Sequence, residues 1–355
     1  MLQTFRHPPE FINQMADGTI KQINPFSGTE VWTVPGRGNR PLGIARPAPQ
    51  PLDPDAHARH CAFCAERYLE TPPEKSRLIH HPDGRWETLY RLSAEQLFDT
   101  VAEFRRVPNL FEILSYDYCH ANYGYELPPR IAERKAAYLG SEAGSAHVLA
   151  VVASKLRASG LSPAHIAEMD RAELLSHASG FFGGGHDVIV ARRHFVDGAT
   201  DDTQVASSGT LTPEEHYQFM AFTIEGARAL YATNRYARYV AVFQNWLKPA
   251  GASFDHLHKQ LVAIDERGAQ HEATLEQLRV NPNLFNEHAV NYASYKNLVI
   301  AENDHAIMFA GFGHRYPTIE IYSKSEACDP WNHTPEEIRG VSDLVHAMHA
   351  ASGVA

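Results

Sequence analysis

Apolar residues follow two rhythms along this chain. Short apolar runs bounded by turn residues predict strands over residues 30–34, within 104–114, and over 187–190, 239–243, 261–264, 298–300, 307–309 and 318–322. Helical spacing predicts helices over residues 127–160, whose Ala-rich stretches close on glycines, and over 212–232, which opens with a capping-box-like Thr-Pro-Glu-Glu. Further helices are expected over 267–279 and 335–352. Residues 1–60 are rich in Pro, Gly and Arg and show little periodicity.

At 355 residues the chain has room for two domains or one duplicated domain. No apolar run approaches the roughly 18 residues that a membrane-spanning helix needs. The N-terminal MLQTFRHPPEFINQ has no hydrophobic targeting core, so a cytoplasmic protein is expected. A net charge of −10 argues against a general nucleic-acid binder, which carries a basic footprint. It leaves room for a phosphorylated small molecule, which needs only a local cationic pocket. Of the four cysteines, Cys61 and Cys64 form a CxxC, while Cys119 and Cys328 stand alone. A reducing compartment favours metal binding or free thiols over disulfides.

The chemistry concentrates in residues 243–260, FQNWLKPAGASFDHLHKQ. If the following strand is extended backwards, His256 and His258 project to one side and Gln260 follows on that face. Such a row could hold a metal, or present an imidazole nucleophile beside an amide donor. Two histidines two apart also arise by chance in a chain with 21. Gly251-Ala252-Ser253 adds weight, because small residues let a phosphate approach the backbone and a Ser hydroxyl can donate to it. Cys61-Ala62-Phe63-Cys64 is ambiguous between a redox pair and half a metal site; a zinc site would need histidines to complete it. Arg37 and Arg40, set among turn residues, form either an oxyanion clamp or a solvated basic loop.

Residues 243–260 resemble the active-site signature of the galactose-1-phosphate uridylyltransferase family, the nucleotidyl-transferring branch of the histidine-triad superfamily. Phe243, Asn245, Gly251, Ser253, His256, His258 and Gln260 meet the pattern in register, with Leu257 where the family usually has Pro. Asn24-Pro25-Phe26-Ser27-Gly28, a strand and then Arg37-x-x-Arg40-Pro41 are similar to its N-terminal motif. Asn109, in residues 104–114, matches an Asn carried beside the nucleotide. Asp187-Val188-Ile189-Val190 matches a strand that precedes a zinc-binding His, here His194 at a spacing one residue shorter, with His186 as the alternative ligand.

The resemblance implies an α+β fold of duplicated histidine-triad-like domains, with antiparallel sheets flanked by helices and a divergent or short second repeat. It suggests an arm over 1–84, a catalytic domain over 85–266 and the second repeat over 267–355. It implies a homodimeric enzyme that moves UMP between a UDP-sugar and a sugar 1-phosphate through a nucleotidyl-histidine. A phosphorylase or adenylyltransferase of the same fold is the alternative, followed by a zinc-stabilised nucleotide-binding protein without turnover. Residue by residue, His258 would be the nucleophile, with Gln260 and Ser253 stabilising charge at phosphorus. Arg37, Arg40, Asn109, Asn245 and Gly251 would hold the nucleotide and its phosphates, and Lys248 or Lys259 could add charge. Cys61, Cys64, His194 and His256 would surround a structural zinc.

Overall fold

The computed structural model describes residues 10–37, 48–53, 56–247 and 250–352. The chain forms two compact units: one joins the N-terminal residues up to Ala48 to residues 267–351, and the other runs from Pro49 to Glu266. Among the described residues no helix is long and apolar enough to cross a membrane.

The first unit opens with an antiparallel meander of β1 (Ile12–Gln14), β2 (Ile20–Ile23) and β3 (Glu30–Thr33). The Asn24-Pro25-Phe26-Ser27-Gly28 motif makes the second turn. Asn24 Oδ1 accepts from the N–H groups of Phe26 and Ser27 at 3.0 and 2.9 Å, and Gly28 takes the left-handed backbone, φ +67°, that closes it.

The second unit begins with the short α1 (Ala56–Arg59) and is built on a six-stranded sheet. Its strands are β4 (Ser76–His80), β5 (Trp86–Tyr90), β6 (Phe104–Pro108), β7 (His186–Ala191), β8 (Tyr239–Phe243) and β9 (His258–Ile264). The order is β5-β4-β6-β7-β9-β8, antiparallel throughout. Between β6 and β7 come α2 (Tyr116–Tyr123), α3 (Pro129–Gly140), α4 (Glu142–Ala158), α5 (Pro163–Glu168), α6 (Arg171–Ser176) and α7 (Ser179–Gly183). The stretch expected to be helical over 127–160 is thus α3 and α4, whose Val148, Val152 and Tyr138 form a core with Phe181 and Phe182 of α7.

Alternation along the strands gives the sheet two distinct faces. Ile189 and Leu261 turn to one face and pack on α8 (Pro213–Thr233) through Phe219, Phe222 and Leu230. Thr212 and Glu215 close the expected capping box at the start of α8. A side chain at Gly226 would meet Leu261 at 2.9 Å, so glycine sets how closely this helix approaches the sheet.

Residues 49–84, grouped with the arm on the sequence, belong to the sheet unit because β4 pairs with both β5 and β6. Neither β4 nor β5 stands out as an apolar run. Arg77, on β4, is fully buried and satisfied by Glu74 at 2.7 Å, a carboxylate that also binds Arg105 of β6 at 2.6 Å.

The first unit resumes with α9 (Ala269–Val280), the short α10 (Asn291–Tyr295), an antiparallel sheet of β10 (Val299–Glu302), β11 (Ala306–Ala310) and β12 (Ile319–Ser323), and α11 (Pro335–Ala351). Met308 of β11 and Leu344 of α11 share a small core, which explains the apolar stripe along that last helix.

Candidate active site and metal centre

The CxxC turn closes with the Cys64 N–H donating to the Cys61 carbonyl at 3.0 Å, so both sulfurs face the sheet unit's His194 and His256. Cys61 Sγ lies 3.4 Å from His194 Nδ1 and 3.6 Å from His256 Nδ1; Cys64 Sγ lies 3.7 Å from each. The two sulfurs are 3.9 Å apart, and all four donor atoms fall within 4.8 Å of one another. His256 Nε2–H donates to the Ala191 carbonyl at 2.6 Å, which fixes the tautomer with Nδ1 free to ligate. This cluster could hold one metal ion. The Cys61 thiol donates to Cys64 and holds the Cys64 thiol far below its ordinary range, while the shared proton and burial push Cys61 up.

His194 is in this cluster and His186 is not. The two lie at opposite ends of β7: Val190 pairs with His258, whereas His186 pairs with Val262.

His258 is the first residue of β9 and is buried. Its Nδ1–H donates to the backbone carbonyl of His256 at 2.7 Å, leaving Nε2 with an available lone pair. Burial, reinforced by the neighbouring His256, pushes the imidazole pKa down and keeps the ring neutral. His256 itself precedes the strand, and both rings meet Phe63 of the CxxC turn edge-on, at 6.0 and 5.4 Å. Leu257 fills the core beneath them, and its carbonyl accepts from the Ala191 N–H at 3.0 Å, so the non-proline residue is built into the ladder.

Gln260 lies on the same face as His258. Its Oε1 is 3.0 Å from His186 Nε2, and Asn109 Nδ2 is 3.1 Å from the same nitrogen. The Ile113 N–H points at His186 Nδ1 at 3.3 Å. With Nδ1 accepting, Nε2–H donates to Gln260 Oε1 and leaves the Gln260 amide nitrogen free as a donor. The opposite tautomer would set Nδ1–H against the Ile113 N–H, so the geometry supports the first, in which Asn109 lies beside Nε2 without sharing its proton. Sequence reasoning weighed His186 only as a zinc ligand. The period-two alternation of HDVIV was the available signal, since His186 and Val188 share a face and Val188 pairs with Gln260.

Phe243 pairs with Gln260, so beyond β8 the chain leaves the sheet at the His258 end of β9. Leu247 accepts there from the N–H groups of Ala250 and Ala252, both at 3.1 Å, and Gly251 sits at φ +88°. A Cβ on Gly251 would lie 3.9 Å from Asn245 Nδ2, so this turn brings Asn245 beside Gly251. Ser253 is exposed in the same loop.

Arg37 is an exposed residue of the first unit, and Arg40 and Lys248 lie outside the described residues. Lys259 corrects an expectation: it cannot reach a phosphate bound at His258. It alternates to the opposite face, pairs with Ile189 and sits over the Phe219 ring at 4.1 Å. Burial there drives its ammonium pKa down to about 7.

A family described as "Domain of unknown function (DUF4921)" matches residues 15–355. No curated protein matches. Among solved structures, an ADP-glucose phosphorylase from Arabidopsis thaliana with bound ADP-glucose is 16% identical, covers 92% of this chain and 75% of its own, and aligns with a TM-score of 0.52. A GalT-like protein from the same plant is 18% identical over 82% of this chain and 69% of its own, with a TM-score of 0.48. A uridylyltransferase is 18% identical over 45% of this chain and 49% of its own, with a TM-score of 0.35. The family resemblance read from residues 243–260 therefore holds at the level of the fold, with antiparallel sheets flanked by helices.

Proposed function

This chain belongs to the DUF4921 family, and we propose that it is a nucleotidyltransferase acting on nucleoside diphosphate sugars through a covalent intermediate on His258. The observation that carries this reading is the 2.7 Å bond from His258 Nδ1–H to the His256 carbonyl, which leaves Nε2 neutral and unprotonated. That nitrogen would attack the α-phosphorus. The bond to the departing sugar 1-phosphate breaks with its electron pair on the leaving oxygen, and a phosphorus–nitrogen bond forms. A second phosphate then attacks, the phosphorus–nitrogen bond breaks, and the neutral imidazole returns.

As charge shifts at phosphorus, the Gln260 amide and Ser253 hydroxyl would donate to its non-bridging oxygens. Asn245 and Gly251 would shape the loop against the phosphates, with Asn109 beside the nucleotide. Arg37 and Arg40 are assigned to the phosphates by the motif resemblance alone.

The Cys61, Cys64, His194 and His256 donors suit zinc. A tetrahedron with zinc–sulfur bonds of about 2.3 Å and zinc–nitrogen bonds of about 2.0 Å has edges of roughly 3.3–3.8 Å, close to the separations between these donors. Bound zinc would supply a structural tie, and His256 carries that tie to the carbonyl that orients His258.

The motif resemblance favours UMP as the transferred group, between a UDP-sugar and a sugar 1-phosphate, in a cytoplasmic homodimer. A second reading, AMP transfer from an ADP-sugar to phosphate, is favoured by the ADP-glucose phosphorylase that shares the fold. Intact-protein mass after incubation with UDP-sugars and with ADP-sugars separates the two. The expected result is an acid-labile nucleoside monophosphate adduct, absent in His258→Ala, whose mass names the base. Zinc-loaded, folded protein that forms no adduct with any donor would rule out the covalent mechanism.

A further inference from the structure

A cavity of about 670 Å³ opens in the sheet unit among β5, β6, α8 and the start of α3. It lies on the reverse face from His258. Arg106 and Asp187 point into that side, whereas their neighbours Val107, His186 and Val188 share the face of Gln260. Lys75, Arg91, Arg106, Arg130 and Arg134 line the cavity, and Glu225 is the carboxylate among the lining residues.

These cations are poorly matched by countercharge. Lys75 and Arg106 share one buried carboxylate, Asp187, each at 2.6 Å. Glu225 is engaged by the Tyr90 hydroxyl. Arg91, Arg130 and Arg134 have no ion-pair partner among the described residues. Arg134 donates to the Glu74 carbonyl, and burial beside Arg106 pushes its pKa down to about 10. Clustered cations in a recess repel one another and lose hydration, a cost that a bound anion would relieve.

Three further features point the same way. Arg91 holds a left-handed backbone, φ +59°, uncommon for a residue with a long side chain. Helix α3 begins at the cavity with Pro128 as its N-cap and no capping side chain, so its positive end faces the same space. Ile131 and Phe182 give the cavity an apolar wall. The volume is that of a small-molecule site, larger than a bare oxyanion requires.

We propose that this cavity binds a phosphorylated small organic molecule at a site separate from the His258 centre. Arginine forks would grip the phosphate oxygens, and the apolar wall would take the carbon skeleton. Lys75, Arg91, Arg106, Arg130 and Arg134, offset by Asp187 and Glu225, leave three positive charges, enough for a phosphate ester dianion. The proposal does not depend on the nucleotidyltransferase reading, because its test reads binding and not turnover.

The test is calorimetric titration of the zinc-loaded full chain at low ionic strength, with glucose 6-phosphate and with inorganic phosphate as probes. Arg91→Met/Arg130→Met removes two exposed cations and should leave the fold intact, whereas Arg134→Met removes the part-buried one. The expected result is saturable binding of glucose 6-phosphate, tighter than phosphate, that both variants weaken by roughly tenfold or more. The same loss should occur in a His258→Ala background, which shows that the bound probe is not at the active site. Should Arg134→Met fail to fold, the double variant alone decides. Unchanged binding in the double variant overturns the proposal, as does no saturation up to about 10 mM. Inorganic phosphate binding as tightly as glucose 6-phosphate overturns the assignment to an organic ligand.

Discussion

The two faces of the β7–β9 pair are one residue apart in sequence and treat charge in opposite ways. On one face His258, His186 and Gln260 are neutral groups fixed by hydrogen bonds to a carbonyl, a backbone N–H and each other. On the other, Asp187 is paired with two cations and Lys259 is buried over an aromatic ring. Burial depresses the pKa of His258 and of Lys259 alike. The imidazole is held in the neutral form that the proposed nucleophile requires, while the ammonium becomes a cost. Alternation along a strand lets a reactive face and a charge-storing face coexist within one sheet.

The largest expected effect breaks the reactive face alone. His258→Ala should lower turnover of the donor sugar nucleotide by about ten-thousandfold or more while leaving metal content and fold unchanged. Steady-state assay beside metal analysis checks this. Retained turnover would move the nucleophile elsewhere. Next comes the tie beneath that face. Cys64→Ser should release the metal and cost about 3 kcal/mol of stability or more, read from denaturant unfolding. A variant that binds metal as before would show that the cluster has no ligand role for Cys64.

His186 sharpens the comparison, because it faces the reactive side without touching the proposed reacting atom. We expect His186→Ala to lower kcat by roughly 10- to 100-fold with little change in KM, through loss of the bond that orients Gln260. His186→Asn, which keeps a donor, should recover part of that loss. Equal losses in kcat and stability with no rescue would mark His186 as structural only.

How much of this was legible follows from how local each signal is. Residues 243–260 place Asn245, Gly251, His258 and Gln260 in one short stretch, and the strand–turn–strand they predict is β8, the turn and β9. Cys61 and Cys64 showed a half-site, but their partners lie far along the chain, and periodicity cannot bring His194 to them. His186 was weighed only as an alternative metal ligand, because its neighbours Gln260, on β9, and Asn109, just past β6, come from distant parts of the chain. β4 was invisible because SRLIH buries Arg77, and only Glu74 and Arg105, met through tertiary pairing, make that burial tolerable. The cavity cations extend from Lys75 to Arg134 with no shared motif, so only the folded sheet reveals them.

The smallest effect tests the reverse face. The folded-state pKa of Lys259 is about 7, against about 10.4 in an unfolded chain. Below pH 7 both states hold the proton, and folding carries the full cost of burying the charge. Between these two values the unfolded state binds more protons than the folded one, so this group adds stability as pH rises. Lys259→Met removes the titration and keeps the packing on Phe219, while losing the cation–ring attraction that offsets part of the cost. The variant should therefore gain most on the parent at pH 6, and that relative gain should fall by about 2.5 kcal/mol by pH 9. Urea unfolding of both proteins at the two pH values measures it. Comparing the two cancels the pH dependence of the metal site, which they share. A difference that stays constant from pH 6 to pH 9 would mean that Lys259 keeps its proton throughout, and the contrast between the two faces would then rest on geometry alone.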